Sequence, residues 1–405
     1  FSRKRADSES TRHHSSVMPP RASKRQKAAA DAAAPPATEA APRVALANAE
    51  GVSMPVFGLG TWKSEVGKTG AAVEAAIRAG YRLIDCANDY GNEKEIGETL
   101  TKLFAEGVVT REDLFIQAKL WNSNHKPDHV RLDLAATLKD LQIDYVDNFV
   151  IHWPMACPSS GLAAALDEHG AFPAPKEKGS MFPLEENGMY CSDNDSHFVE
   201  TWHVMEQLVE EKLCKAIGLS NFNKKQVAEV VACATLHKPA TLQNECHAFL
   251  QQKDLVDYCK SEGIAFQAYS PLGSADRPWA KTGSLTSGPP AGGHELLEHP
   301  AILKVAKRLK KSAAQVVLRW HFQRDVCTVA KSVTPARISA NIQFFDFELT
   351  PADMAIFDGM NVGWRHLLWP ETAMHPDYPF KDDLPSGYVP TAPADGATRK
   401  DERAK

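Results

Sequence analysis

YRLIDCANDYG, residues 81–91, is typical of a short buried strand that ends in an acidic residue, Asp85. The loop after it carries a phenol, Tyr90. Two later stretches have the same form: LFIQAKLW (114–121) offers Lys119, and YVDNFVIHWP (145–154) offers His152. If these strands are parallel neighbours, an acid, a phenol, an ammonium and an imidazole meet at one end of the sheet. We therefore predict a site that handles protons at that end.

Strand and helix signals alternate through most of the chain after a short hairpin (44–47 and 53–56). Strands are predicted at 57–60, 81–86, 114–120, 147–152, 215–219, 241–245, 265–269 and 326–330. Helices are predicted at 70–79, 92–106, 128–141, 196–211, 224–234, 251–263, 300–310, 313–324 and 334–342. This alternation favours an α/β fold, a closed parallel (β/α)8 or TIM barrel.

A two-domain doubly wound sheet is the alternative fold. Against it, no Gly-x-Gly-x-x-Gly follows an early strand, and no linker divides the repeats. We predict one barrel domain over residues 44–390. Residues 1–43 are rich in Ala, Pro, Ser and charge, so we expect a disordered low-complexity tail there, and a second disordered tail at 391–405.

Composition excludes several classes of protein. With 43% apolar residues the chain can bury a sizeable core, and a net charge of −5 gives no footprint for nucleic acid or an acidic membrane. No apolar run is long enough for a membrane helix. The 8 cysteines include no Cys-x-x-Cys, which favours free thiols in a reducing compartment. We expect a cytoplasmic protein with no nucleic-acid or membrane partner.

The four polar residues make chemical sense together. A phenol has an ordinary pKa of about 10, and a nearby ammonium such as Lys119 lowers it. Asp85 can keep Lys119 charged, and His152 can orient a carbonyl oxygen or share its proton. Such a site protonates a developing alkoxide, but hydride must come from a cofactor. Taken singly, each residue is more often a cap, a rim residue or core packing, so only the combination is specific.

Nine motifs in order carry a resemblance to a known family. They are GLGTW (58–62), DCANDYGNE (85–93), KLW (119–121), IHWP (151–154), GLSNF (218–222), QNECH (243–247), AYSPLGS (268–274), DRPWAK (276–281) and KSVTPARISAN (331–341). The chain resembles the aldo-keto reductase superfamily, in its aldose/aldehyde reductase branch. The resemblance implies a (β/α)8 barrel, usually monomeric, that reduces an aldehyde, ketone or sugar with NADPH. It implies a catalytic tetrad of Asp85, Tyr90, Lys119 and His152, with Tyr90 as the general acid, Lys119 and Asp85 tuning it, and His152 orienting the substrate.

The resemblance also implies where the cofactor, NADPH or NADP+, is held. Lys331, Ser332, Thr334 and Arg337 open the last predicted helix and correspond to the clamp on the adenosine 2′-phosphate. The full set of implied cofactor residues is Thr61, Trp62, Ser220, Asn221, Gln243, Tyr269, Ser270, Leu272, Ser274, Lys331, Ser332, Val333, Thr334, Arg337 and Asn341. Ala340 departs from the family pattern, since a Glu that contacts the adenine amine is usual there. Lys63 and Asp276 are a candidate latch across the cofactor.

Aromatic residues match the wall of the family's substrate site. The implied substrate residues are Trp62, Trp121, His152, Trp153, Phe182 and Trp279. Two long loops, 155–195 and 273–299, are expected to shape the pocket, and the loop at 363–375 sets substrate preference in the family. Since that loop is where this chain differs most, the sequence does not choose between sugars, short aldehydes and aromatic aldehydes.

Two other functions stay open at this point. A cofactor-sensing, non-enzymatic barrel subunit would use the basic run RASKRQK (21–27) as its partner contact. A metal-dependent barrel hydrolase would need clustered ligands at strand ends, where only His152 and Asp85 qualify and Lys119 would repel a cation. We therefore predict no metal.

Overall fold

The computed structural model describes residues 41–65, 67–158, 181–187, 189–274 and 295–390. Nearly all of the predicted N-terminal tail, the predicted C-terminal tail and parts of both long loops lie outside the described residues. So do Trp279 and Asp276.

A two-stranded hairpin precedes an eight-stranded parallel barrel. The hairpin pairs β1 (Arg43–Ala45) with β2 (Ser53–Pro55), so regular structure begins one residue before the boundary expected at residue 44. The barrel strands are β3 (Phe57–Gly60), β4 (Leu83–Asp85), β5 (Phe115–Leu120), β6 (Val146–Ile151), β7 (Cys214–Ser220), β8 (Thr241–Glu245), β9 (Ala265–Tyr269) and β10 (Cys327–Lys331). The barrel closes in the order β10-β3-β4-β5-β6-β7-β8-β9. The (β/α)8 prediction is confirmed, and the doubly wound alternative is wrong.

Helices follow the strands and surround them. In the described part of the chain they are α1 (Thr69–Arg78), α2 (Glu93–Ala105), α3 (Pro127–Leu141), α4 (Phe198–Glu210), α5 (Lys224–Cys233), α6 (Lys253–Ser261), α7 (Pro300–Leu309), α8 (Ala313–Phe322), α9 (Pro335–Asn341) and α10 (Pro351–Asp358). The sequence analysis missed α10. Its signal was present, because Thr350 and Asp353 form a capping box around Pro351 at the first helical position.

Close packing between neighbouring elements depends on glycine at two positions. A Cβ on Gly218 in β7 would lie 2.1 Å from Thr241 Oγ1 in β8, so the two strands can approach only with glycine there. A Cβ on Gly97 in α2 would lie 2.2 Å from the backbone oxygen of Asp140 in α3. A larger residue would force β7 and β8 apart at Gly218, and α2 and α3 apart at Gly97.

The hairpin closes the amino-terminal end of the barrel. Met54 in β2 is fully buried and packs with Leu83, Phe115 and Cys327, the first residues of three barrel strands. The carboxyl ends of the strands are thereby left as the face on which a cavity can open, which is where barrel enzymes carry their chemistry.

The strand predicted at 81–86 is shorter in the structure. It covers only Leu83–Asp85, and the ring of Tyr81 turns to the outer layer, where its hydroxyl donates to the backbone oxygen of Ile338 in α9 at 2.9 Å. Tyr81 therefore ties the segment between α1 and β4 to α9. Over the described ranges, no helix is long and apolar enough to cross a membrane.

Candidate active site

Lys119 joins three of the four predicted catalytic residues. It sits at the end of β5, and its Nζ donates to Asp85 Oδ1 at 2.7 Å and to Tyr90 Oη at 3.1 Å. A third bond, of 3.0 Å, reaches the backbone oxygen of Cys86. The Lys119 side chain is fully buried, so its ammonium depends on these partners. The chain of contacts Asp85–Lys119–Tyr90 is therefore rigid and desolvated.

Asp85 is held from below by amide side chains inside the barrel. Its Oδ1 accepts from Gln117 Nε2 at 2.7 Å and from Gln243 Nε2 at 3.0 Å, in addition to Lys119. Gln117 also donates to Gln267 Oε1 at 2.8 Å and accepts from Asn148 Nδ2 at 2.8 Å. Sequence analysis missed Gln117, Asn148 and Gln267 as supports of the site. The sequence did contain a signal for them, because each is an amide residue in the middle of an otherwise apolar strand.

Tyr90 holds its proton firmly. It lies in the loop after β4, in a short 3-10 turn, Asn88–Tyr90. Burial raises the pKa of its phenol well above the ordinary value, and the charges of Asp85 and Asp89 act in the same direction. Lys119 Nζ lies 3.1 Å from the phenol oxygen, within the reach that the sequence analysis required of it, but burial is the largest influence on this pKa. A phenol that stays neutral is suited to donating a proton.

His152 follows β6 directly and lies edge-on to two aromatic rings. Its centroid is 5.2 Å from that of Trp121 and 5.7 Å from that of Tyr90. Its backbone is fixed by bonds to Leu120 and Asn221. Burial lowers the pKa of the imidazole, although the neighbouring Asp89 opposes this. His152 is thus a neutral polar group next to the phenol.

Asp89 is a polar residue of the site that the sequence analysis did not single out. Its Oδ1 is 3.2 Å from His152 Nδ1, and both side chains are largely buried. The two atoms are close enough for a hydrogen bond but poorly aligned for one, so the contact is chiefly electrostatic. The only signal in the sequence was an acid immediately before Tyr90.

A single cavity of about 810 Å³ starts at these residues and runs along the carboxyl ends of the strands. Asp85, Tyr90 and His152 line one end of it. Most of the predicted cofactor residues line the rest: Trp62, Ser220, Asn221, Gln243, Tyr269, Ser270, Leu272, Ser274, Lys331, Ser332, Val333, Thr334, Arg337 and Asn341. The structure therefore brings these residues, from seven strand ends and α9, to one continuous space.

Three predicted residues do not line this cavity. Lys119 lies behind Asp85 and Tyr90. Thr61 is buried, and its hydroxyl donates to the backbone oxygen of Asp85 at 2.8 Å, so it supports the site without facing it. Phe182 packs against Trp121 with centroids 5.0 Å apart and lines a smaller neighbouring cavity of about 20 Å³. Trp279 lies outside the described residues.

The loops that cross the cavity have unusual backbone conformations. Asn221 has φ 61° and Ser270 has φ 53°, in the left-handed region that non-glycine residues seldom occupy. The Asn221 amide oxygen accepts from Tyr269 Oη at 2.7 Å, and its nitrogen donates to the backbone oxygen of His152 at 2.9 Å. Left-handed residues held this way recur at ligand clamps. The two predicted cofactor loops are thus linked to each other and to the tetrad.

Aromatic rings form one wall of the cavity, and the C-terminal segment, residues 361–388, backs them. Trp121 and Trp153 both face the cavity and both pack on Trp369, at centroid distances of 6.0 and 5.4 Å. The sequence did not say which end of the barrel this segment crosses. The structure places it at the carboxyl end, against the predicted substrate wall.

Glu245, the last residue of β8, anchors that segment. Its carboxylate accepts from the backbone nitrogens of His366 and Leu367, at 2.6 and 2.7 Å, and from His247 Nε2 at 2.9 Å. Within the described ranges, Glu245, His247 and His366 are the group whose spacing could suit a metal ion. Two backbone amides already occupy the carboxylate, so we assign the group a structural role.

The fold and the site together define a barrel oxidoreductase for carbonyl groups, with a buried phenol beside a long cavity. The sequence profile of the Aldo/keto reductase family matches residues 56–362. The chain belongs to this family.

Known relatives and solved structures agree with that placement. The chain is 43% identical over 350 residues to aldo-keto reductase family 1 member A1 of Gallus gallus, which covers 84% of this chain and 97% of the relative. Its identity to aldo-keto reductase family 1 member A1 of Homo sapiens is 42% over 342 residues, covering 82% and 96%. The aldose reductase structure from Schistosoma japonicum superposes with a TM-score of 0.71 at 39% identity, covering 84% and 99%.

Proposed function

We propose that this protein is an NADPH-dependent carbonyl reductase in which Tyr90 is the general acid. The observation that carries the proposal is the bonding of Lys119 to both Asp85 and Tyr90 beside a cavity that Lys331 and Arg337 also line. A proton donor, Tyr90, and two cations, Lys331 and Arg337, line the same cavity, which suits a reductant that carries phosphate groups.

The chain's own residues manage the proton. Tyr90 Oη donates its proton to the carbonyl oxygen as negative charge develops there. Lys119, 3.1 Å from Oη, then stabilises the phenolate that remains, and Asp85 holds Lys119 in place. NADPH, when bound, supplies the hydride that no side chain can provide. Trp121 and Trp153 exclude water from this end of the cavity and so strengthen each electrostatic interaction.

The residues along the cavity fit a nicotinamide dinucleotide. Ser220, Asn221 and Gln243 present hydroxyl and amide groups close to Tyr90, suited to the carboxamide of a nicotinamide ring. Tyr269 offers a flat ring beside them. Further along, Ser270, Leu272 and Ser274 lie on the left-handed turns after β9, where a pyrophosphate can approach the backbone.

Exposed cations support a choice of NADPH over NADH. Lys331 and Arg337 are exposed at the rim of the cavity, beside Ser332 and Thr334. Because α9 has only seven residues, we assign the recognition of a 2′-phosphate to these side chains and not to the helix dipole. Ala340 also lines this part of the cavity and has no group for the adenine amine. The two cations therefore carry much of the affinity for the adenosine end.

Removal of these cations should change the preference for cofactor. We expect Arg337→Met to lower kcat/KM for NADPH by about 10- to 100-fold, because a charge-assisted contact is worth roughly 1.5–3 kcal/mol. The value for NADH should change little. Initial rates with both reductants and a panel of glyceraldehyde, xylose, benzaldehyde and a medium-chain aldehyde provide the measurement.

The matched control is Lys225→Met, which removes an exposed cation on α5 outside the cavity lining. It should leave both values unchanged. Equal loss with NADPH and NADH in Arg337→Met would contradict the 2′-phosphate assignment. Tight NADPH binding with no turnover of any aldehyde would instead favour a cofactor-sensing subunit.

A further inference from the structure

Asp89 and His152 form a pair inside the cavity that the tetrad does not require. Both residues line the cavity, and their side chains are 5% and 9% exposed. The imidazole packs at steep angles, 79° and 77°, against the rings of Trp121 and Tyr90, and these contacts hinder its rotation. Its Nδ1 therefore stays next to the Asp89 carboxylate.

The carboxylate determines which nitrogen of His152 carries a proton. A lone pair on Nδ1 would face an anionic oxygen 3.2 Å away, which is repulsive, whereas an N–H there is attracted. Burial keeps the ring neutral, with one proton only. The other charged groups acting on the ring are Lys119, which disfavours a second proton, and Asp85, which opposes Lys119. The single proton is thus drawn to Nδ1.

Nε2 is then left with a lone pair. Among the described residues no side chain or backbone group hydrogen-bonds to Nε2. The atom is also not one of the fully buried polar atoms that lack a hydrogen-bond partner. The His152 side chain lines the same cavity as Tyr90. An acceptor at this place cannot bond a carbonyl oxygen, which carries no hydrogen, but it can bond a hydroxyl.

We propose that Asp89 is a positioning residue that holds His152 with its proton on Nδ1, so that Nε2 meets the substrate as a hydrogen-bond acceptor. This inference rests on the proposed carbonyl reductase function. Tyr90 alone serves the carbonyl oxygen. His152 selects a substrate with a hydroxyl on the adjacent carbon, because the Tyr90 and His152 ring centroids are only 5.7 Å apart. The negative charge of Asp89 makes Nε2 a stronger acceptor and works against substrates with a carboxylate next to the carbonyl.

The tautomer can be observed directly and without turnover. We would label the histidines of the full-length protein with 15N and assign the His152 ring signals by their loss in His152→Gln. In the wild-type protein the Nδ1 shift should be that of a protonated nitrogen and the Nε2 shift that of an unprotonated one. In Asp89→Leu, which is nearly isosteric, the proton should move mainly to Nε2. A wild-type ring protonated on Nε2, alone or together with Nδ1, would overturn the proposal.

Kinetics test the consequence for specificity. The ratio of kcat/KM for glyceraldehyde to that for propanal should fall about 10-fold in Asp89→Leu, since an Nε2–H would bond the carbonyl oxygen of both aldehydes and would no longer favour the one with a hydroxyl. Comparing ratios between variants cancels the hydration of glyceraldehyde. Asp128→Asn, an exposed acid at the start of α3, is the control and should keep the wild-type ratio.

The two levels of the account fail in different ways. If wild-type protein reduces neither aldehyde, the proposed function is wrong, while the 15N spectra still decide the tautomer. If Asp89→Leu is folded and keeps the wild-type ratio, the carbonyl reductase assignment stands and the role of Asp89 is wrong. A thermal unfolding curve for each variant shows whether it is folded.

Discussion

Tyr90→Phe is expected to lower kcat/KM for carbonyl reduction by about 10³-fold, the usual size of a general-acid contribution. The phenol is the group placed to protonate the carbonyl oxygen, and its raised pKa keeps it in the acid form at neutral pH. Among the residues that the structure describes, the hydroxyl has one hydrogen-bond partner, Lys119, and the ring packs near Trp62 and His152, so phenylalanine should fit without rearrangement. NADPH binding, followed by quenching of tryptophan fluorescence, should be nearly unchanged.

Tyr145→Phe is the matched control for this substitution. Tyr145 also has a lysine on its hydroxyl, Lys215 Nζ at 3.3 Å, but it precedes β6 at the opposite end of the barrel. Its replacement should leave kcat/KM at the wild-type value. If Tyr90→Phe kept most of the activity, another group would have to be the acid.

Lys119→Met is expected to abolish reduction and also to destabilise the fold by about 3–5 kcal/mol, the usual cost of breaking a buried ion pair. The substitution leaves the Asp85 carboxylate buried with two amide donors and no cation. Urea unfolding followed by fluorescence and by circular dichroism would measure the loss, with coincident curves as the test of a single transition.

The double variant Asp85→Asn/Lys119→Met separates stability from chemistry. Without a buried charge on either side, the unfolding free energy should return most of the way to the wild-type value. Activity should not return, because nothing remains to stabilise the Tyr90 phenolate. A double variant as unstable as Lys119→Met would mean that the lysine stabilises the fold by packing and not by charge.

The sequence predicted the fold well because local signals were consistent. Apolar stretches such as 114–121 are buried on both faces only when helices cover them, and the spacing of strands and helices left a parallel barrel as the simplest closed arrangement. The carboxyl-end rule then placed Asp85, Lys119 and His152 together. The structure adds the distances from Lys119 Nζ to Asp85 Oδ1 and to Tyr90 Oη.

What the sequence could not predict depends on closure of the barrel. Gln117 and Gln267 are 150 positions apart, and only the closed sheet brings their amides together beneath Asp85. The direction of the Tyr90 pKa shift is a balance between burial and charges, and the sequence shows the charges but not the degree of burial. The contact of Asp89 with His152 depends on how one loop turns after β4. The placement of Trp369 depends on the long-range bonds between Glu245 and the C-terminal segment.

The central claim is that hydride passes from NADPH to a carbonyl carbon in this cavity. The most direct test is to incubate the protein with an aldehyde and NADPH deuterated at both C4 positions, and to measure the mass of the alcohol product by mass spectrometry. The account predicts an alcohol that carries one deuterium on the former carbonyl carbon, and no such product with Tyr90→Phe over the same period. Alcohol without deuterium, or full labelling with Tyr90→Phe, would contradict it.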